Sequence, residues 1–183
     1  TGDYSINKNS IYNPEGLSQG IIQAIYTDNS GIVGIGTDSG GVNIYNGKSR
    51  KFFTIRPVSN RENWLSNKIV YDFTEGENGL IFIATYGGGL NIFNPKTRTF
   101  RVLHAQTGKP NALQSNYIYC LATGLDGVIW IGTRDAGLQS FNPKTSEFKQ
   151  FKHNPSNIKS LSHNAVRSVF VDSSNRVWVG TYG

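Results

Sequence analysis

Side chains able to do bond-making chemistry are few in this chain and badly placed for it. His104, His153 and His163 lack the spacing of a metal-ligand set, and no Cys or carboxylate joins them in a cluster. Asp38 and Asp135 are too few and too unpaired for two-carboxylate glycoside chemistry. Asp28 and Asp172 read as turn caps. No Gly-x-Ser-x-Gly elbow or Ser-His-Asp pattern occurs. The lone Cys120 has no internal disulfide partner and reads as a small strand residue. The glycine runs at 34–41 and 87–89 are not followed by a helical pattern, so they are hairpin turns and not phosphate cradles. The expectation is no catalytic residue, no metal site and no cofactor. What remains is recognition chemistry. Asp38, Tyr86, Arg134 and Tyr182 each follow a recurring threonine and vary in residue type. Longer connections contribute Arg56, Arg61, Trp64, His104, Lys109, Lys152 and His153. Aromatics that stack on sugar rings, with cations that pair with carboxylates or sulfates, suit a ligand face. The candidate ligand residues are therefore Tyr86, Arg134, Asp38, Tyr182, Trp64, Arg56, His104 and Lys152.

The elements that must position these residues repeat every 48 residues. Leu17, Leu65, Leu113 and Leu161 open four units without insertion or deletion, and Thr37, Thr85, Thr133 and Thr181 stand twenty positions later. Before each threonine lies an apolar run, VGIG (33–36), IFIA (81–84), IWIG (129–132) and VWVG (177–180). A period this regular means one supersecondary unit used in series.

Each unit holds four short strand patterns separated by turn residues. In the first pattern, apolar residues hold positions 22 and 25 and their equivalents, while the intervening ones vary. A turn with Ser30-Gly31, Asn78-Gly79, Asp126-Gly127 or Asn175 follows, at a backbone position that needs positive φ. The second strand is apolar on consecutive positions, so both of its faces are buried, with Phe82, Trp130 and Trp178 expected between neighbouring units. The recurring threonine reads as a structural hydroxyl bonded to a turn or neighbouring unit. Four antiparallel strands in radial repetition make an all-β fold of β-propeller blades. The reading gives a final strand and linker at 1–16, units at 17–64, 65–112 and 113–160, and a partial unit at 161–183. It describes one truncated propeller domain, an incomplete fragment beginning and ending in mid-pattern. Its exposed edges are expected to be covered by the remaining blades of a parent protein or by self-association.

The net charge of +6 is spread, each complete unit carrying five Lys or Arg against three Asp or Glu. That pattern fits a solvated rim or a field favouring anionic ligands. No basic stripe with interleaved aromatics points to nucleic acid, and no run is long enough to span a membrane.

The stretches GLDGVIWIGTRDAGLQSFNPKTSEF (124–148) and ENGLIFIATYGGGLNIFNPKTRTF (77–100) closely resemble the two-component regulator propeller repeat. The first unit departs most, with Gly34 at the Trp position and Gly47 in place of Pro. The resemblance implies a non-catalytic periplasmic sensor segment of a hybrid two-component histidine kinase that contributes to oligosaccharide sensing. An alternative is a structural or protein–protein interaction propeller without a small-molecule ligand. The ligand expected on the loop face is an oligosaccharide, neutral or anionic.

Overall fold

The computed structural model describes residues 16–18, 20–28, 31–47, 51–61 and 63–183. The strand expected within 1–16 lies almost wholly outside them. Three four-stranded antiparallel sheets and one two-stranded hairpin follow in chain order. The first contains β1 (Ile22–Thr27), β2 (Val33–Thr37), β3 (Val42–Asn46) and β4 (Lys51–Ile55). The second contains β5 (Val70–Glu75), β6 (Ile81–Thr85), β7 (Gly89–Asn94) and β8 (Thr99–Leu103). The third contains β9 (Ile118–Thr123), β10 (Ile129–Thr133), β11 (Leu138–Asn142) and β12 (Glu147–Phe151). The hairpin joins β13 (Val166–Val171) to β14 (Val177–Thr181). Strands neighbour one another in simple sequence order, the meander of a propeller blade. Gly31, Asn78, Gly127 and Asn175 adopt positive φ in the first hairpin turns, and Gly41, Gly89 and Gly137 do so in the second.

Three apolar seams join these blades face to face, and the alternation of β6 shows how. Ile81 and Ile83 turn back toward the first blade, packing with Val42, Phe73 and Phe100. Phe82 and Ala84 turn forward to meet Leu121, Ile129, Ile131 and Phe141 of the third blade. The third seam sets Cys120, Leu138 and Trp130 against Val166, Val169, Val177 and Val179 of the hairpin.

The expectation of buried aromatics holds for Phe82, which is 1% exposed, and needs correction for the two tryptophans. Trp130 is half-buried, its ring 5.7 Å from that of Phe151. Trp178 is 57% exposed. Cross-strand size explains the series. The first-strand partner of Gly34 is Tyr26 in β1, that of Phe82 is Thr74 in β5, and that of Trp130 is Ala122 in β9. A large residue thus faces a small one in each complete blade, filling the seam without crowding it. Tyr26 does in the first blade what Phe82 does in the second, stacking toward Phe73 at 6.2 Å and donating to Glu75 at 2.5 Å. In the hairpin both partners are large, Phe170 and Trp178, and both are exposed. No described element covers them, so the pattern of residue types alone does not bury Trp178.

The frame threonine is a turn clamp, as expected. Thr85 and Thr133 each donate to the carbonyl of Gly89 or Gly137 at 2.7 Å, and Thr133 Oγ1 accepts from Ala136 at 3.0 Å. A second buried device escaped the sequence reading. Asn43, Asn91 and Gln139, all fully buried, lie 48 residues apart in the third strands. Their side-chain oxygens accept backbone N–H bonds from Ser18 (2.8 Å), Ser66 (2.9 Å) and Gln114 (2.8 Å). Each amide therefore latches the segment that follows the unit-opening leucine onto the blade.

Candidate functional site

Two repeated backbone features build a lip where the innermost strands begin. The residue after each frame threonine donates its N–H to the chain just before its own first strand. Asp38 bonds Ile21 (3.1 Å), Tyr86 bonds Ile69 (3.0 Å), Arg134 bonds Tyr117 (2.9 Å) and Tyr182 bonds Ala165 (2.9 Å). The second feature is a β-bulge at the same place in all four units. Pairing steps from Ile22 to Ala24, Val70 to Asp72, Ile118 to Cys120 and Val166 to Ser168. The skipped residues are Gln23, Tyr71, Tyr119 and Arg167. A bulge frees one residue from the ladder and re-aims its side chain, a device recurrent near binding sites.

In the second and third blades and the hairpin, bulge and loop residues meet. Tyr86 lies 5.4 Å from Tyr71, 4.9 Å from Tyr117 and 5.8 Å from Tyr119 between ring centroids. Tyr71 and Tyr119 meet edge-on at 5.5 Å. These four rings form a continuous aromatic floor across two blades. Arg134 donates from Nη1 to the Tyr86 hydroxyl at 2.6 Å, and its guanidinium carbon stands 5.7 Å from the Tyr86 ring and 5.6 Å from that of Tyr117. Arg167 covers Tyr119 at 4.0 Å and stands 5.6 Å from the Tyr182 ring. Burial raises the Tyr119 phenol above its ordinary range, and the Arg167 charge pulls in the opposite direction.

The eight residues singled out from the sequence thus divide. Tyr86 and Arg134 touch, and Tyr182 joins them through Arg167 and Tyr119. Asp38 occupies the equivalent backbone position but turns its carboxylate to its own blade, where Oδ1 accepts from Ile21 at 2.9 Å. Trp64 is an outer wedge, 5.4 Å from Phe100, capped by Arg61 at 3.9 Å and donating to the Arg56 carbonyl at 2.8 Å. Arg56 lines a groove with Ser39, Pro57 and Lys68. His104 is exposed. Lys152 borders a cleft of about 620 Å³ with Lys109, Lys149 and Asp135, which shares Tyr117 with the aromatic floor. Sequence reasoning missed Tyr71, Tyr117, Tyr119 and Arg167. Variation between the fixed apolar positions of the first strand was the one trace that three of them left in the sequence.

Elsewhere, buried polar groups serve the scaffold. Asp72, half-buried between blades, accepts from the Leu121 N–H at 2.7 Å and from that of Phe73 at 2.8 Å. Desolvation raises its carboxyl above the ordinary carboxylate range, while both hydrogen bonds oppose the shift. Burial, helped by the Asp72 charge, pushes the Cys120 thiol up to about 12, so it is no nucleophile at neutral pH. Among the described residues no group of three or more His, Cys, Asp or Glu is placed to hold a metal. No helix among them is long and apolar enough to cross a membrane.

Residues 160–183 match the family model of the two component regulator propeller. The match falls on the partial fourth unit, and the same residue frame recurs in the three preceding units. Among solved structures, the chain is similar to the extracellular domain of BT4673 from B. thetaiotaomicron, described as a hybrid two component system. Identity is 25% and the TM-score 0.72, over 91% of this chain and 21% of that one. It is also similar to the extracellular domain of the hybrid two component system BT3049 from the same organism, at 20% identity and TM-score 0.56, over 98% of this chain and 28% of that one. Virginiamycin B lyase from Staphylococcus aureus shares the fold at 13% identity and TM-score 0.66, over 90% of this chain and 51% of that one. No curated protein matches the sequence. This chain spans about a fifth of the BT4673 structure.

Proposed function

We propose that this chain is a non-catalytic segment of the periplasmic sensor region of a hybrid two-component histidine kinase, and that its channel lip holds an oligosaccharide. The aromatic floor of Tyr71, Tyr86, Tyr117 and Tyr119 carries the reading. Pyranose rings present flat C–H faces, and a row of tyrosines offers apolar area with a polar hydroxyl at each rim. The likeness to extracellular domains of two component systems supports the sensor role. The lip acids favour recognition over hydrolysis, because the Asp38 carboxylate accepts from the Ile21 N–H and Asp135 borders a cleft with lysines. A glycan array probed with the intact chain tests the proposal. The expected result is retention of at least one oligosaccharide class, lost in Tyr86→Ala. Retention of none would overturn it.

A second reading, an interaction propeller, draws on the apolar residues exposed at the two outermost sheet faces. Ile22 and Ile25 are 44% and 66% exposed, and Phe170 and Trp178 are 63% and 57% exposed. Patches of this kind associate. Sedimentation over a concentration series tests it; association that Trp178→Asp abolishes would favour this role.

A further inference from the structure

Cations in this molecule meet two different fates. On the outer surface two cations pair with acids, Lys144 with Glu77 at 2.8 Å and Arg176 with Asp172 at 2.7 Å. At the lip they do not. Among the described residues no carboxylate lies within salt-bridge range of Arg134 or Arg167. Both are exposed, and both lean on a tyrosine of the preceding blade 48 residues earlier, Arg134 on Tyr86 and Arg167 on Tyr119. A ring beneath a guanidinium orients it without neutralising it, and leaves its N–H edge open for a planar anion. Arginine has five N–H donors, and Arg134 uses one of them on the Tyr86 hydroxyl. The pair is not a property of the repeat frame, because the first unit carries Asp38 and Gln23 at the corresponding positions.

We infer that Arg134 and Arg167 form the acid-recognising part of the site, taking a carboxylate or sulfate group of an oligosaccharide that lies across the tyrosine floor. This rests on the lip being the ligand face, as proposed above, and adds the chemistry that selects the ligand. The positive character continues beyond the floor. Tyr117 is shared with the adjoining cleft, whose rim carries Lys109, Lys149 and Lys152 against the single acid Asp135. The arrangement suits a short chain bearing more than one acidic residue better than an isolated monosaccharide acid.

Calorimetric titration of the intact chain with tetragalacturonate, a chondroitin sulfate tetrasaccharide, cellotetraose and inorganic sulfate tests the inference. At least one acidic tetrasaccharide should bind more tightly than cellotetraose, with affinity falling as salt rises. Arg134→Ala and Arg167→Ala should each weaken that binding by about tenfold or more, and Arg134→Lys should not restore it, since lysine lacks the planar fork. Both side chains are exposed, so unchanged thermal unfolding will confirm an intact fold. Equal affinity for acidic and neutral probes, or wild-type affinity in the double alanine variant, would overturn the inference. If Tyr86→Ala still weakens the neutral probe in that case, the saccharide reading of the lip stands alone. Inorganic sulfate binding as tightly as the tetrasaccharides would assign the pair to free anions and overturn the oligosaccharide part. Binding of no probe would overturn both readings.

Discussion

The seams between blades and the lip above them are built on the same 48-residue backbone, yet they use it in opposite ways. Beside the seams, the turn and latch positions keep one task with little change of residue type. Thr85 and Thr133 close identical turns, and Asn91 and Gln139 hold identical segments. At the lip, an equally constant backbone bond and bulge present Asp, Tyr, Arg and Tyr from the loop, and Gln, Tyr, Tyr and Arg from the strand. A fixed frame with free side chains is how a repeat fold acquires specificity without losing its packing. The lesson is that stability and recognition are separable here by position within the unit.

The largest effect should come from the seam. Phe82→Ala removes a ring that is 1% exposed between the second and third blades, and should cost about 3–5 kcal/mol in denaturant unfolding. Trp178→Ala, at the same frame position, should cost less than about 1 kcal/mol, because its ring lies in solvent with one bond to Asp172. Equal costs would break the account of Trp178 as an unpacked counterpart of Phe82.

Next in size is the latch. Asn91→Ala leaves the Ser66 N–H without its buried acceptor and should cost about 1–3 kcal/mol. Amide exchange at Ser66 should rise in parallel. A variant as stable as wild type would mean that the amides fill space and do not hold the connection.

A smaller, pH-dependent effect belongs to Asp72. Burial raises its carboxyl in the folded chain, so folding favours the protonated form. The stability this contributes is full below the unfolded carboxylate value and is lost as pH rises through the folded one. Relative to wild type, Asp72→Asn should therefore gain stability over the interval just above the ordinary carboxylate value of roughly pH 4, since its amide stays neutral throughout. A gap that shrinks in that interval would contradict the sign.

Much of this was legible in the sequence, for a physical reason. Apolar runs on consecutive positions, glycines at positive-φ turns and a constant threonine are local requirements of a blade, and each repeats visibly. The fate of Trp178 was not legible, because burial of a seam residue depends on what faces it, and its cross-strand partner Phe170 is as exposed as it is. The candidate site was half legible. Tyr86, Arg134 and Tyr182 stood out as variable residues inside a constant loop. Tyr71, Tyr119 and Arg167 did not, since variation between fixed apolar positions reads as ordinary strand surface until the bulge that removes them from the ladder is seen. Trp64 and Arg56 show the converse. An aromatic and a cation in a connection look like ligand chemistry, yet the Trp64 indole is bonded to the Arg56 carbonyl and packed on Phe100.

The separation of stability from recognition is tested most directly by measuring both on one variant. In the Tyr86→Ala Arg134→Ala chain, two half-buried or exposed side chains are removed from the lip and none from a seam. The account predicts that affinity for the tetrasaccharide bound by wild type falls by more than about tenfold, while the unfolding free energy moves by less than about 1 kcal/mol. Undiminished affinity, or a loss of stability as large as that of Phe82→Ala, would contradict it.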